Sequence, residues 1–322
     1  MTARNSIFLG VLAISAATPL AALDCETGFR PFEHRMGVTC VPDTPQRIVT
    51  LHSMNLAYPI MELGVTPVGS ANWYKEDGSI QWFLPEDYDT TEIAPLGFFR
   101  DVDVEEVAEL NPDLIVGYLG NDDGFDRFGE IAPAVNLDLF NRPIKEVLFD
   151  IADLVNRTDE AERLEAAFNG QAAQIRAEAS DDIARTTVSF IQHVNRDDQF
   201  FPVTMSFGLP VIIDELGIRR SPAEQGIGAE REFRSIEALG DHVADVIINY
   251  VPDMQPDGSS ENHDTLMSWP VTQFLPAVQE GQIYPVHIFK VGSLSWRSLS
   301  TGLEQIGTIL SNPALNRDLV EE

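Results

Sequence analysis

The segment from Arg142 to Asp182 constrains this chain more than any other. It holds PIKEVLFDIADLVNRTDEAERLEAAFNGQAAQIRAEA, a long polar-apolar helical pattern rich in Ala, Glu and Leu, with no strand-like run inside it. On both sides the pattern is different. QRIVTLH (Gln46 to His52), behind Pro45, has the β-branched composition of a buried strand. LAYPIMELG places apolar residues at helical spacing up to Gly64, VTPVG reads as a second strand, and DVDVEEVAELNPDLIVGY (Asp101 to Tyr118) gives a short helix, a Pro-marked turn and another strand. The acid-rich stretch from Trp73 to Thr91 shows no period and is expected to be a surface loop. Beyond the helical segment the alternation resumes with the strand TVSFIQHV, the helix LPVIIDELGI ending at Gly217, and the helix and strand of FRSIEALGDHVADVIINY. The strand GQIYPVHIF and the closing helix GLEQIGTIL complete it. Strand, helix, strand at this spacing is the grammar of parallel sheets covered on both faces.

The second half echoes the first. Glu62, Leu63 and Gly64 fall 153 positions before Glu215, Leu216 and Gly217, and Glu105, Asp113 and Tyr118 fall 132 positions before Glu237, Asp245 and Tyr250. Matches in the same order on either side of one helical stretch predict two similar α/β lobes. The expected boundaries are a signal peptide at 1–22, an N-terminal lobe at 23–141, an interlobe helix at 142–182 and a C-terminal lobe at 183–322.

The signal peptide is read from Arg4 ahead of the apolar run IFLGVLAISAATPLAAL, too short and too early for a spanning helix, with Ala21 and Ala22 as a cleavage point. Cys25 and Cys40, the two cysteines, lie just beyond it, and an exported chain with two cysteines is expected to pair them. Lipid attachment at Cys25 is the alternative, opposed by Asp24 where a small residue is wanted. The 51 acidic against 21 basic side chains leave a formal charge of −30, a field that opposes nucleic acid and anionic membrane surfaces. Lys75, Lys145 and Lys290 are the lysines; the other cations are arginines, whose forked guanidinium suits carboxylates.

PQRIVTL, ELGVTPVG, VEEVAELNPDLIVG, the long linking helix and WPVTQFLPAVQEGQIYPV, taken in order, resemble the periplasmic solute-binding proteins of iron-siderophore and vitamin B12 ABC importers. The resemblance spans about residues 45–311. It implies two Rossmann-like lobes with parallel sheets, a rigid interlobe helix, a ligand held in the cleft, a periplasmic location, delivery to an inner-membrane ABC permease and no chemistry on the ligand. A monomer is expected. The family also implies one glutamate on each lobe that docks on permease arginines, and its motif position falls on Glu105 and, through the 132-residue echo, on Glu237.

Ligands of open parallel sheets sit beyond the carboxyl ends of the strands. That rule selects His52, Trp73, Tyr74, Phe99, Arg100 and Tyr118 in the first lobe. In the second it selects His193, Arg196, Phe200, Arg231 and Tyr250, with Trp296 and Arg297 between the last strand and the closing helix. Arginine, aromatic and histidine side chains offer forked donors and flat surface, which suits a ferric siderophore that brings its own iron donors, so no cofactor and no metal ligand is expected from the protein.

Haem, for which Tyr74, Tyr118 or His193 could be axial, or a cobalamin remains an alternative ligand for the same fold. From another class, a chelatase-like metalloenzyme would need a Cys cluster or a His-acid pair; the six histidines are scattered, with His52 and His193 the pair to watch. GxSxG, HExxH and GxxxxGK[ST] are absent, and NDDGFD (Asn121 to Asp126) lacks the twelfth-position glutamate of an EF-hand and reads as a turn.

Overall fold

The computed structural model describes residues 24–74, 78–82, 84–85, 87–118, 124–139, 141–194, 198–203, 208–227 and 232–320. The expected signal peptide, Arg196, Arg231 and the Asn121–Asp123 part of NDDGFD lie outside the described residues. A hairpin comes first, β1 (Phe29–His34) and β2 (Gly37–Pro42), paired antiparallel with Pro31 opposite Cys40. A disulfide joins Cys25 to Cys40. Then β3 (Ile48–Thr50) leads through a π-helical turn (Ser53–Ala57) into α1 (Tyr58–Glu62). The first lobe continues with β4 (Gly69–Tyr74), β5 (Ile80–Gln81), β6 (Ala94–Phe98), α2 (Val104–Glu109), β7 (Leu114–Gly117), α3 (Asp126–Gly129) and β8 (Ala134–Asn136). Its sheet runs β5-β4-β3-β7-β8 with β6 also on β4; β5 is antiparallel and the other pairings are parallel. The LNPD signal works as a helix stop, since Asn111 takes a left-handed φ of 46° and Pro112 follows.

Two helices, not one, fill the strand-free segment. α4 (Ile144–Leu154) ends where Asn156 turns to φ 54° and the Arg157 amide donates back to the Ala152 carbonyl at 2.8 Å, a closed C-terminal cap. α5 (Thr158–Arg185) is the long element, 28 residues, and runs past Asp182.

The second lobe holds β9 (Thr187–Val194), β10 (Gln199–Pro202), α6 (Leu209–Leu216), β11 (Arg219–Arg220), β12 (Arg234–Ser235), a 3-10 segment (Ile236–Asp241) and β13 (Val246–Val251). It closes with α7 (Glu261–Ser268), α8 (Pro276–Gln279), β14 (Ile283–His287), α9 (Ile288–Val291) and α10 (Trp296–Leu310). Here the sheet order is β12-β10-β9-β13-β14, with β11, β13 and β14 parallel and β10 and β12 antiparallel. The echo read in the sequence is real at the helix ends: α1 and α6 both stop at a glycine in the left-handed region, Gly64 at φ 78° and Gly217 at φ 66°.

One apolar core runs unbroken from Ile48, Leu114 and Val135 through Ile151, Phe168 and Ala172 of the linking helices to Val188, Phe190, Trp296 and Leu303. Separate clusters back the far face of each sheet. Because the lobes share a core through the helices, bending between them would open packed apolar contacts, each with its own cost.

Three expectations are corrected. The second strand starts only at the last residue of VTPVG and runs from Gly69 to Tyr74, since Pro67 has no amide to give a ladder. Part of the expected Trp73–Thr91 loop is strand, since Trp73 and Tyr74 pair with Gln81 and Ile80. Trp296 and Arg297 are the first turn of α10, not a linker before it.

Candidate functional site

At the carboxyl end of the first sheet the predicted aromatic residues meet. His52, after β3, lies 4.8 Å from the ring of Phe99 and 5.1 Å from that of Tyr118, both edge-on. Trp73 of β4 packs on Phe99 at 4.7 Å and on Phe98 at 5.9 Å, and Tyr74 stacks on Phe98 at 6.3 Å. Arg100 lies over the Phe99 ring at 5.2 Å, a cation-π contact at the edge of this wall. His52 and Phe99 are buried beneath, Trp73, Phe98 and Tyr118 are half-buried, and Tyr74 and Arg100 are exposed.

The polar chemistry of the wall is neutral. Burial pushes the His52 ring down to about 3 and the Tyr118 phenol up to about 12, the latter eased by the Asn55 amide and by Arg100. The Asn55 backbone amide faces His52 Nδ1 (3.2 Å) and Trp73 Nε1 faces His52 Nε2 (3.3 Å); the neutral ring has one acceptor nitrogen, so it accepts one of the two according to its tautomer, and that bond occupies its lone pair. Ser53 Oγ, Asn55 Oδ1 and Asn72 Oδ1 are buried at this end with no hydrogen-bond partner among the described residues.

A second polar rim closes the carboxyl end of the other sheet. Asn249 of β13 meets His263 Nδ1 at 3.2 Å, and Asn262 donates to the His193 carbonyl at 3.1 Å. Asp253 accepts the Ser260 hydroxyl and the Asn262 amide at 2.9 Å, which fixes the start of α7. Gln192 Oε1, Asn249 Oδ1 and His287 Nδ1 are buried without a partner among the described residues. Burial lowers His263 and His287, the latter helped by Lys290, so both rings are held toward the neutral form. Each rim thus buries polar atoms that have no partner among the described residues and cost free energy unless a water meets them.

Sequence reasoning missed Asn55, Asn72, Phe98, Asn249, Asn262, His263 and His287. The strand-end rule would have found His287 and Phe98 had it been applied to the true ends of β14 and β6. Asn262 and His263 come from a helix that packs back on β9, which no local pattern announces.

Other predicted contacts belong to the packed interior. Phe200 is fully buried among Ile191, Ile236 and Leu239 and edge-on to His242 at 4.9 Å. Tyr250 packs against Phe190, and His193, although at a strand end, is 2% exposed. Trp296 sits between Phe149 of α4 and Phe168 of α5, at 6.0 and 6.1 Å, inside the core shared by the lobes. Arg297 pairs with Asp87 at 2.8 Å and lies over the Tyr88 ring, while its own amide donates to Glu62, so it serves the junction between lobes. These side chains are taken up by packing or pairing, and none of them contributes to the exposed wall.

Two parallel sheets hung on one helical layer, with buried polar groups at their carboxyl ends, define a two-lobed α/β binding protein. Residues 63–288 match the family described as periplasmic binding protein, well over half of the chain. This chain belongs to that family, one of binding proteins of transporters. A relative in Bacillus subtilis, described as the probable siderophore-binding lipoprotein YfiY, is 26% identical over 268 residues, 80% of each chain. The ferric-anguibactin-binding protein FatB of Vibrio anguillarum is 23% identical over 229 residues, covering 69% of this chain and 67% of FatB. Among solved structures, Staphylococcus aureus SirA complexed with staphyloferrin B aligns with a TM-score of 0.70 at 21% identity, over 89% of this chain and 99% of SirA. Staphylococcus aureus FhuD2 with bound ferrioxamine B aligns with a TM-score of 0.66 at 20% identity, over 84% and 100%. These alignments establish the fold.

Proposed function

We propose that this chain captures a ferric siderophore between the two rims and delivers it to an ABC permease. The observation that carries the reading is the aromatic wall of Trp73, Tyr74, Phe98 and Tyr118 at the carboxyl end of the first sheet, edged by the exposed Arg100. Flat rings cover the organic shell of a bulky chelate, and the Arg100 guanidinium donates to its oxygens without competing for the iron. The iron stays with the chelator, so the protein supplies no metal ligand and performs no chemistry. The proteins named above support this choice of ligand: one is described as probably siderophore-binding and three are described with a named siderophore.

In this reading the chain is exported to the periplasm and works as a monomer. Glu105, in the first turn of α2, and Glu237, in the first turn of the 3-10 segment, are both exposed and serve as docking acids for the permease.

Titration of tryptophan fluorescence against ferric hydroxamates, ferric catecholates, haem and cobalamin tests the ligand class. Quenching by an iron chelate at sub-micromolar concentration and none by haem or cobalamin is expected. Binding of haem or cobalamin alone overturns the reading.

A further inference from the structure

We infer that Glu62 is a positioning residue whose carboxylate clasps the first lobe to the first turn of α10 and so sets the spacing between the two rims. Glu62 is the last residue of α1. Its Oε2 accepts the Trp296 amide at 2.9 Å and its Oε1 accepts the Arg297 amide at 2.5 Å. These are the first two residues of the 15-residue helix α10, and the amides of a helix's first turn have no partner inside the helix. Ser295, the N-cap, already accepts the Ser298 amide at 2.9 Å. Glu62 therefore takes the donors that the cap leaves over, at the positive end of the α10 dipole.

The clasp joins two elements that each carry rim residues at their other end. Chain upstream of Glu62 is helical from Ser53 onward, and its start holds His52 and Asn55 in the aromatic wall. Chain upstream of Trp296 is α9, which follows His287; the Ser298 hydroxyl bonds the Lys290 carbonyl at 2.9 Å and receives the Ser293 amide at 3.1 Å, tying α9 to the same turn. Fixing Glu62 to α10 thus fixes one rim against the other through short, internally bonded segments.

The sequence echo supplies a counterpart. Glu215, placed in α6 as Glu62 is in α1, binds Lys145 of α4 at 2.8 Å and Arg176 of α5 at 2.9 Å. Both echoed acids thus hold a lobe to elements outside their own sheet. The Arg297–Asp87 pair crosses the same junction but is exposed, and such pairs contribute little.

Spin labels at Glu109→Cys and Glu280→Cys, both exposed and one on each lobe, report the interlobe distance in the full chain without ligand. Glu62→Ala is expected to shift and broaden that distribution and to weaken ferrioxamine B binding roughly tenfold, because fewer molecules hold the binding geometry. Glu62→Gln keeps the shape and one acceptor oxygen, so it can hold one of the two amides and should restore part of both. Arg297→Ala, which keeps its amide, should leave the distance unchanged. A folded Glu62→Ala protein with the parent distance distribution overturns the inference. Should that variant not fold, Glu62→Asp, whose carboxylate falls one methylene short of both amides, is read the same way. The effect on affinity rests on the function proposed above, whereas the distance does not. A shifted distance in a protein that ignores ferrioxamine B therefore speaks against that ligand and leaves the clasp standing.

Discussion

Asp113 and Asp245, 132 positions apart, hold equivalent strands in equivalent ways. Each precedes a central strand and accepts amides at the start of the strand beside it. Asp113 takes the Gln46 and Arg47 amides at 2.7 and 2.9 Å ahead of β3, and Asp245 takes the Thr187 amide at 2.7 Å at the head of β9 and the Leu319 amide at 3.0 Å. Asp245 is fully buried and Asp113 half-buried. Truncation strands the donors, so Asp245→Ala should cost about 3 kcal/mol and Asp113→Ala about 1–2 kcal/mol. Urea unfolding measures both, and a larger loss at Asp113 would contradict the burial argument.

The wall makes a sharper distinction. Trp73→Ala and Arg100→Ala should each weaken ferric-siderophore binding by roughly 10- to 100-fold, the range for losing a stacking face or a charge-assisted bond. Phe200→Leu and Tyr250→Phe, both in packed interiors, should alter stability alone. Calorimetric titration of the four variants decides it; equal losses in all of them would erase the difference between wall and core.

Two groups give opposite pH dependence. Burial drives His52 from 6.5 down to about 3, so its ring stays neutral while the unfolded chain gains a proton below 6.5; this stability is full above 6.5 and is lost as pH falls toward 3. Burial drives Glu62 the other way, from 4.5 to about 7, against the pull of the Arg297 and Trp296 amides. Its folded form keeps a proton that the unfolded chain releases above 4.5, so that contribution is present below 4.5 and is lost as pH rises to about 7. Relative to the parent, Glu62→Gln should become more stable between pH 5 and 7, by at most about 1.4 kcal/mol per pH unit. A difference that stays constant over that window, in melts at matched ionic strength, would remove Glu62 as the titrating group.

The disulfide closes a separation of 15 residues onto the β1–β2 hairpin. On the chain-entropy account its loss in a Cys25→Ser, Cys40→Ser double variant should cost about 3 kcal/mol. Siderophore affinity should be untouched, because the hairpin packs at the β8 edge, where the Arg35 amide meets the Asn136 carbonyl at 3.1 Å, and contributes no ring to the aromatic wall. Reduced affinity in the folded double variant would place the hairpin in the site.

Reversing both docking acids, Glu105→Arg with Glu237→Arg, should leave affinity in solution intact and abolish complex formation with the permease. The side chains are exposed, and an exposed acid in a first helical turn favours its own helix by only a few tenths of a kcal/mol. Undiminished transport by the double variant would sink the role; lost siderophore binding would move these acids into the cleft.

The sequence by itself determined the alternation of elements, the strand-free helical layer and the duplication of the lobes. These depend on local chemistry: TVSFIQHV is β9 residue for residue, Asn111 ahead of Pro112 stops α2, and Gly64 and Gly217 end matching helices. It also brought His52, Trp73, Phe99 and Tyr118 to one place, because residues after parallel strands must share an end of the sheet. Only the tertiary structure decided which side chains were free to act there. Trp296 was drawn into the core between two linking helices, Arg297 was taken by Asp87, and Phe200 and Tyr250 sank into the sheet faces. Those outcomes depend on partners far away in the chain, since burial and pairing are properties of what packs against a residue and a sequence pattern reports only what lies along it.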